Sequence, residues 1–473
     1  HIFTRDERVI PFNNIVTTFM TDMSFMFRNT SAFNQPINSW DTSNVTNMDG
    51  MFLNAANYNQ PLWTWNVSNV NVRPPINFSV NSPLIGANQP SWFLTRLANG
   101  VTIRYTGNEA DVLATTPLIP LFRQANPRGT GLEWFAIVDN RHRQAIQNYA
   151  RGTDTVTFRP PGLPRPVPFN NIVTTLMTDM QAMFFQFIHR NEPIDSWDTS
   201  RVTSMNAIFQ DSNGFNQPIN HWDTSQVRDM SGMFIRCRSF NQPIGNWNTS
   251  NVIDMSAMFA QATNFNQPIG NWDTSSVIVM HSMFSRATRF NQPIGNWNTS
   301  RVTNMSAMFG MFDTVSEFNQ PIGLWDTSRV TNMRNMFDFT RDFRQPIGLW
   351  DTSRVTDMDG MFQNATSFNQ PLRTWNVSNV ATRPPLNFNL SSSLVVANHP
   401  SWFLRLLPNI VTIRYTGLAG NVPNDRALFI QANPRGTGLE WFAVVNDTMR
   451  AAIINYAISP NVTSVAFTPP DQT

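Results

Sequence analysis

Apolar residues recur along most of this chain at one fixed spacing. Written from a tryptophan, the unit is Trp-(Asp/Asn)-Thr-Ser-x-Val-x-x-Met-x-x-Met-Phe, then five variable residues, then Phe-Asn-Gln-Pro-Ile and two more, clearest from Trp247 to Asn271 and from Trp272 to Asn296. Val-x-x-Met after the Asp-Thr-Ser turn predicts a short strand. Met-x-x-Met-Phe has one-turn helical spacing, and Gln-Pro-Ile forces an extended return. A unit this short cannot bury its apolar face alone, so neighbouring units must stack to make a core.

The tryptophans mark the period: Trp197, Trp222, Trp247, Trp272 and Trp297 are 25 apart, followed by Trp325 after a three-residue insertion, then Trp350 and Trp375. These eight are expected as the repeat core. Trp40 and Trp65 belong to a shorter array near the start. Above the repeat lies a duplication, because Pro-Phe-Asn-Asn-Ile-Val-Thr-Thr at residues 11–18 returns at 168–175. Each copy ends in a related non-repeat region, 73–158 and 383–467, opened by Arg-Pro-Pro.

The predicted architecture is an α/β repeat solenoid of 25-residue, leucine-rich-repeat-like coils, in two tandem modules that each end in a small α/β domain. Its parts are residues 1–72 (cap and short array), 73–158 (terminal domain), 159–167 (a Pro-rich linker, stiff and extended by composition), 168–382 (about eight coils) and 383–473 (second terminal domain). In the first terminal domain, 101–105, 132–138 and 155–158 read as strands and 143–150 as a helix. Capping of the open array ends is the role that its position suggests.

Polar repeat positions have structural explanations. The Asn of Phe-Asn-Gln-Pro (Asn241, Asn266, Asn291, Asn319) would form a ladder, and Asp or Asn before Thr-Ser an Asx-type turn. Arg201, Gln226, Asn251, Ser276 and Arg301 share one outward position and vary along the array, as a contact surface would.

Composition narrows the function. Only 14% of residues are charged, against roughly 25% in ordinary domains, so Asn, Gln, Ser and Thr must cover the surface. The net charge is +2 with no lysine, and Arg and Asp alternate without a basic stripe, which argues against nucleic-acid binding. One cysteine, Cys237, allows no intrachain disulfide and no Cys metal cluster, and leans toward assembly in a reducing compartment. No apolar run reaches the ~18 residues of a membrane span, and His1-Ile2-Phe3-Thr4-Arg5 does not read as a signal peptide.

Catalytic chemistry finds little support. His142 falls at Met449 in the second copy and His399 at Gln89 in the first, while His189, His221 and His281 occupy nonequivalent repeat positions. Asn-Pro-Arg-Gly-Thr-Gly-Leu-Glu-Trp-Phe occurs at 126–135 and 433–442; it lacks the lysine and glycine spacing of a phosphate loop and reads as a tight turn feeding a strand. Aligned Asp198, Asp223, Asp273, Asp326 and Asp351 could hold calcium, but arginines three residues on (Arg201, Arg329, Arg354) and interrupting asparagines favour local neutralisation. No catalytic, cofactor-binding or metal residue is expected, and the chain reads as non-enzymatic.

The repeat from Phe240 to Phe259 resembles that of the BspA-type leucine-rich-repeat surface proteins, also found in mycoplasma surface lipoproteins and in giant amoeba-infecting DNA viruses. The resemblance covers roughly residues 11–72 and 168–382. It implies a solenoid for attachment or protein interaction. The absence of a visible signal, lipid-attachment cysteine or wall anchor, together with the duplicated terminal domains, points to a virus of the marseillevirus kind. The expected role is then a capsid-associated or surface component of the virion, assembled in the host cytoplasm. Its partners would be other virion or surface proteins and further copies of itself, with no nucleic acid and no membrane span. The alternative is a cell-surface adhesin for a host protein or glycan.

Overall fold

The structure is a computed structural model describing residues 10–115, 119–154, 156–187, 191–310, 315–406, 413–415, 421–424, 427–432, 434 and 440–458. The chain divides into two compact units, residues 1–205 with 217–226, and residues 206–216 with 227–473. The division falls inside the long array.

In the second unit, successive coils lie one against the next in parallel. The bridges run Asp229–Asp254–Val279–Asn304–Asn332–Asp357, one residue pair per coil. The expected Val-x-x-Met strand is therefore a single bridge. Met-x-x-Met-Phe is a run of turns rather than a helix, and the cause is visible in its donors. The N–H groups of Met255, Ala257, Phe259 and Gln261 go to the carbonyls of Val279, His281, Met283 and Ser285 in the next coil, at 3.1, 2.8, 2.9 and 2.7 Å. Donors committed along the stack cannot close i→i−4 bonds. Ala257 and Gln261 accordingly take left-handed φ of 51° and 61°, strained for side chains and tolerated because both neighbouring coils fix them.

The core of this unit is built from columns of rings. Trp247, Trp272, Trp297, Trp325, Trp350 and Trp375 stack with centroids 6.3–6.4 Å apart and planes within 3–4°. Each indole N–H from Trp272 onward also donates to the Ile carbonyl of the preceding coil, as Trp297 does to Ile269 at 3.2 Å. The Phe259, Phe284, Phe309, Phe337 and Phe362 rings form a second column. Glycine after Pro-Ile sets the closest approach between coils: a Cβ at Gly245 would lie 2.4 Å from the Pro268 carbonyl oxygen.

The stack runs past the start of the terminal domain. Gly360, Phe362 and Asn364 donate to Leu386, Phe388 and Leu390 at 2.7–2.8 Å, so residues 386–390 lie on the last coil. There the Phe388 ring turns edge-on to Phe362, at 85°. The described residues beyond it include two antiparallel strand pairs, β6 (Leu404–Leu406) with β7 (Ile413–Tyr415) and β8 (Leu428–Ala432) with β9 (Glu440–Val444), and helix α3 (Arg450–Ile458).

The first unit repeats this plan and extends it. Its short array bridges Asp22 to Asn47, stacks Trp40 on Trp65 at 6.5 Å, and ends with Phe78 edge-on to Phe52. Then come β1 (Leu94–Arg96), β2 (Ile103–Tyr105), α1 (Glu109–Leu113), β3 (Leu121–Ala125), β4 (Glu133–Asp139) and α2 (Arg143–Arg151). α2 is set by its ends: Asp139 and His142 form a capping box for the turn leading into it, and Gly152 closes it at φ 76°. Residues 156–158 form no strand, and Thr155 lies outside the described residues. The Pro-rich 159–167 segment is not an extended spacer. It doubles back through a turn closed by Leu163 N–H to the Pro160 carbonyl, and Val167 N–H bonds the Phe158 carbonyl at 2.9 Å. The strand β5 (Ile172–Leu176) that follows pairs in parallel with β4.

Candidate functional site

All eight expected core tryptophans are buried. The Asp column forms Asx turns, each carboxylate accepting the N–H of the Ser two residues on, as at Asp273 (3.0 Å) and Asp351 (2.9 Å). Among the described residues no group of three or more His, Cys, Asp or Glu is arranged to hold a metal ion. The Asn ladder is present: the Asn241, Asn266 and Asn291 side-chain oxygens each accept the backbone N–H of the next ladder Asn at 3.0 Å, and the neighbouring Gln adds a second donor. Repeat polarity is thus consumed within the stack.

The other candidate groups are likewise committed to structure. Arg128 donates to Glu133 (2.9 Å), the Asn171 side chain (2.9 Å) and the Asn170 carbonyl (2.7 Å), which leaves no open anion cradle. In the second copy Asn433 and residues 435–439 lie outside the described residues, as do His189 and the end of the second terminal domain. His142 is buried as a cap, and His221 bonds the Asp195 carbonyl. Cys237 is buried with its thiol donating to the Ser212 carbonyl at 3.1 Å, and burial pushes its pKa up.

Of the outward positions, Arg201 pairs with Glu109 of the first terminal domain at 3.5 Å. Gln226, Asn251 and Arg301 are exposed and Ser276 is half-buried. A different surface of the second unit, missed in the sequence, carries an open groove. Where earlier coils have Asn271 and Asn296 before the tryptophan, two later coils have leucine, and Leu324 and Leu349 stand 88% and 86% exposed. With Pro321, Pro346, Pro371 and Arg373 they line an open groove of about 440 Å³. The sequence signal is a change from Gly-Asn-Trp to Gly-Leu-Trp, at a position that does not help define the repeat.

In the first unit, the terminal domain grips the start of the long array. Ile103 N–H bonds the Ser196 carbonyl at 2.8 Å, Arg104 forks onto Asp198, and Arg143 pairs with Asp179. Asp198 is buried, which works to raise its pKa, yet hydrogen bonds from Arg104 and Ser200 hold it below the usual carboxylate value.

The molecule is therefore a coil-stacking repeat protein whose polar repeat groups serve the stack. The family model described as "Mycoplasma protein of unknown function, DUF285" matches residues 2–74, 166–259, 242–310 and 310–393, more than half the sequence, and the chain belongs to that family. No curated protein and no solved structure matches it. Among the described residues no helix is long and apolar enough to cross a membrane.

Proposed function

We propose that this protein is a non-enzymatic structural repeat protein: a solenoid of 25-residue coils in two tandem modules, each ending in a small α/β domain, that binds other proteins as a capsid-associated or surface component of a giant virus particle. The observation carrying the interaction reading is the Leu324–Leu349 groove, an apolar surface on coils whose repeated Asp, Asn and Trp positions are already engaged within the stack. Scattered surface leucines need no explanation, but two replacing asparagine at one repeat position and lining one opening fit a protein contact. The virion setting is supported by the likeness of the repeat to giant-virus families and by the duplicated terminal domains.

The test is quantitative mass spectrometry of purified particles, with and without mild surface proteolysis, beside the infected-cell membrane fraction. Stoichiometric recovery in particles supports the reading. Recovery only from membranes overturns it in favour of a surface adhesin. Leu324→Asn with Leu349→Asn restores the residue of the earlier coils and should leave folding intact while reducing incorporation.

A further inference from the structure

The first terminal domain holds the Pro-Phe-Asn-Asn-Ile-Val-Thr-Thr segment of the following array. Both partners in that contact exist a second time in the chain, and the second time neither is covered in the same way. β4 lies between β3 and β5 in a three-stranded sheet, whereas β9, its twin, pairs with β8 alone among the described residues. Ile146 of α2 is fully buried, and its twin Ile453 of α3 is 42% exposed. Gln147 bonds the Gln181 and Ala182 carbonyls of the array, while its twin is Ile454, also exposed. The β7 face that would correspond to Ile103 and Arg104 has Arg414 exposed.

The matching segment stands at residues 11–18. It is seated on its own coils as the later copy is: the Thr17 hydroxyl donates to the Asp41 carbonyl at 2.9 Å as Thr174 does to Asp198 at 3.0 Å, and the Trp40 indole bonds the Phe12 carbonyl as Trp197 bonds Phe169. Its outer face differs sharply. Val16 is 84% exposed where Val173 is 1%, and Phe19 is 95% exposed where Leu176 is 9%. The segment is therefore held in place with an apolar edge turned to solvent. Charges match as well: Arg104 with Asp198 and Arg143 with Asp179 are mirrored by Arg414 and Arg450 on one face and by exposed Asp41 and Asp22 on the other.

We infer that the second terminal domain binds the residue 11–19 edge of another copy of this chain, adding it as a parallel strand beside β9 with Ile453 and Ile454 packed behind it. Strand addition of this kind draws its affinity from main-chain hydrogen bonds and its choice of partner from the side chains. Because the two faces are different, the contact is heterologous and links copies head to tail. This deepens the interaction reading above by naming one partner.

The experiment is sedimentation velocity on the 473-residue chain over a concentration series. Association that grows with concentration is expected. Val16→Asp with Phe19→Asp abolishes one face and Ile453→Asp the other; all three positions are exposed, so each variant should fold and each alone should be monomeric. Mixed together, the two variants retain one intact face each and should form dimers that grow no further. Arg414→Ala should weaken association by roughly tenfold, the loss of one charge-assisted contact. A monomeric parent chain overturns the inference, as does association that survives either face variant. Monomeric protein recovered in particles would overturn this contact while leaving the virion reading in place.

Discussion

Arg104 holds the buried carboxylate of Asp198 in a fork, Nε to Oδ2 at 2.7 Å and Nη2 to Oδ1 at 3.2 Å, across 94 residues of sequence. The pair fastens the first terminal domain to the long array. Arg104→Ala leaves a buried carboxylate with only Ser200 to satisfy it. It should cost about 1.5–3 kcal/mol, toward the lower end because the guanidinium is 37% exposed. Urea unfolding followed by circular dichroism reads the loss.

The same pair sets a pH dependence. Asp198 has a lowered pKa in the fold, so its stabilising contribution is complete above the unfolded carboxylate pKa of ~3.9 and disappears as pH falls through the lower folded value. The Tm of the parent chain should therefore drop more steeply below pH 4 than that of Asp198→Asn. Equal slopes would remove Asp198 from the account.

Trp297 lies mid-column between Trp272 and Trp325, buried on both faces. Trp297→Ala empties a ring's volume and orphans the Ile269 carbonyl, at a cost of roughly 3–5 kcal/mol. Because coils touch only their neighbours, hydrogen exchange should rise most in the coils beside it. Uniform exchange across the array would contradict that locality.

Asn291 accepts from Asn319 N–H and Gln320 Nε2 while donating its own N–H to Asn266. Asn291→Ala strands the Asn319 N–H, while Gln320 keeps its bond to the residue-291 carbonyl, and about 1–3 kcal/mol should be lost, whereas Ser276→Ala on the outer face should stay within ~0.5 kcal/mol.

Cys237 combines full burial with a raised thiol pKa, so thiolate is scarce and reagent access is closed. A thiol reagent at pH 8 should label the folded chain far more slowly than the urea-unfolded one. Fast native labelling would show that the coil opens.

Much of this was legible in sequence because the repeat writes the same answer many times. The tryptophan column, the Asn ladder and the Asx turns follow from residue type and period alone. The Met-x-x-Met-Phe turns were not, since helical spacing is a local signal and the deciding hydrogen bonds run to residues 24 positions away. Gly232 and Gly360 hinted at left-handed backbone there, but Ala257 and Ala307 at the same position hid it. The grip of Arg104 on Asp198 joins residues of different modules, which no periodicity connects.

One coil spends three extra residues between Phe309 and Phe318, and yet the Phe318 ring lies 6.2 Å from Phe290 and within 1° of parallel. Chain length between these two rings is thus uncoupled from ring registry. That tolerance of added length makes the interval between Phe309 and Phe318 the natural place to graft a foreign peptide, an epitope or a protease site for display, and the aromatic stack on either side would serve as its own reference for whether the graft was accommodated.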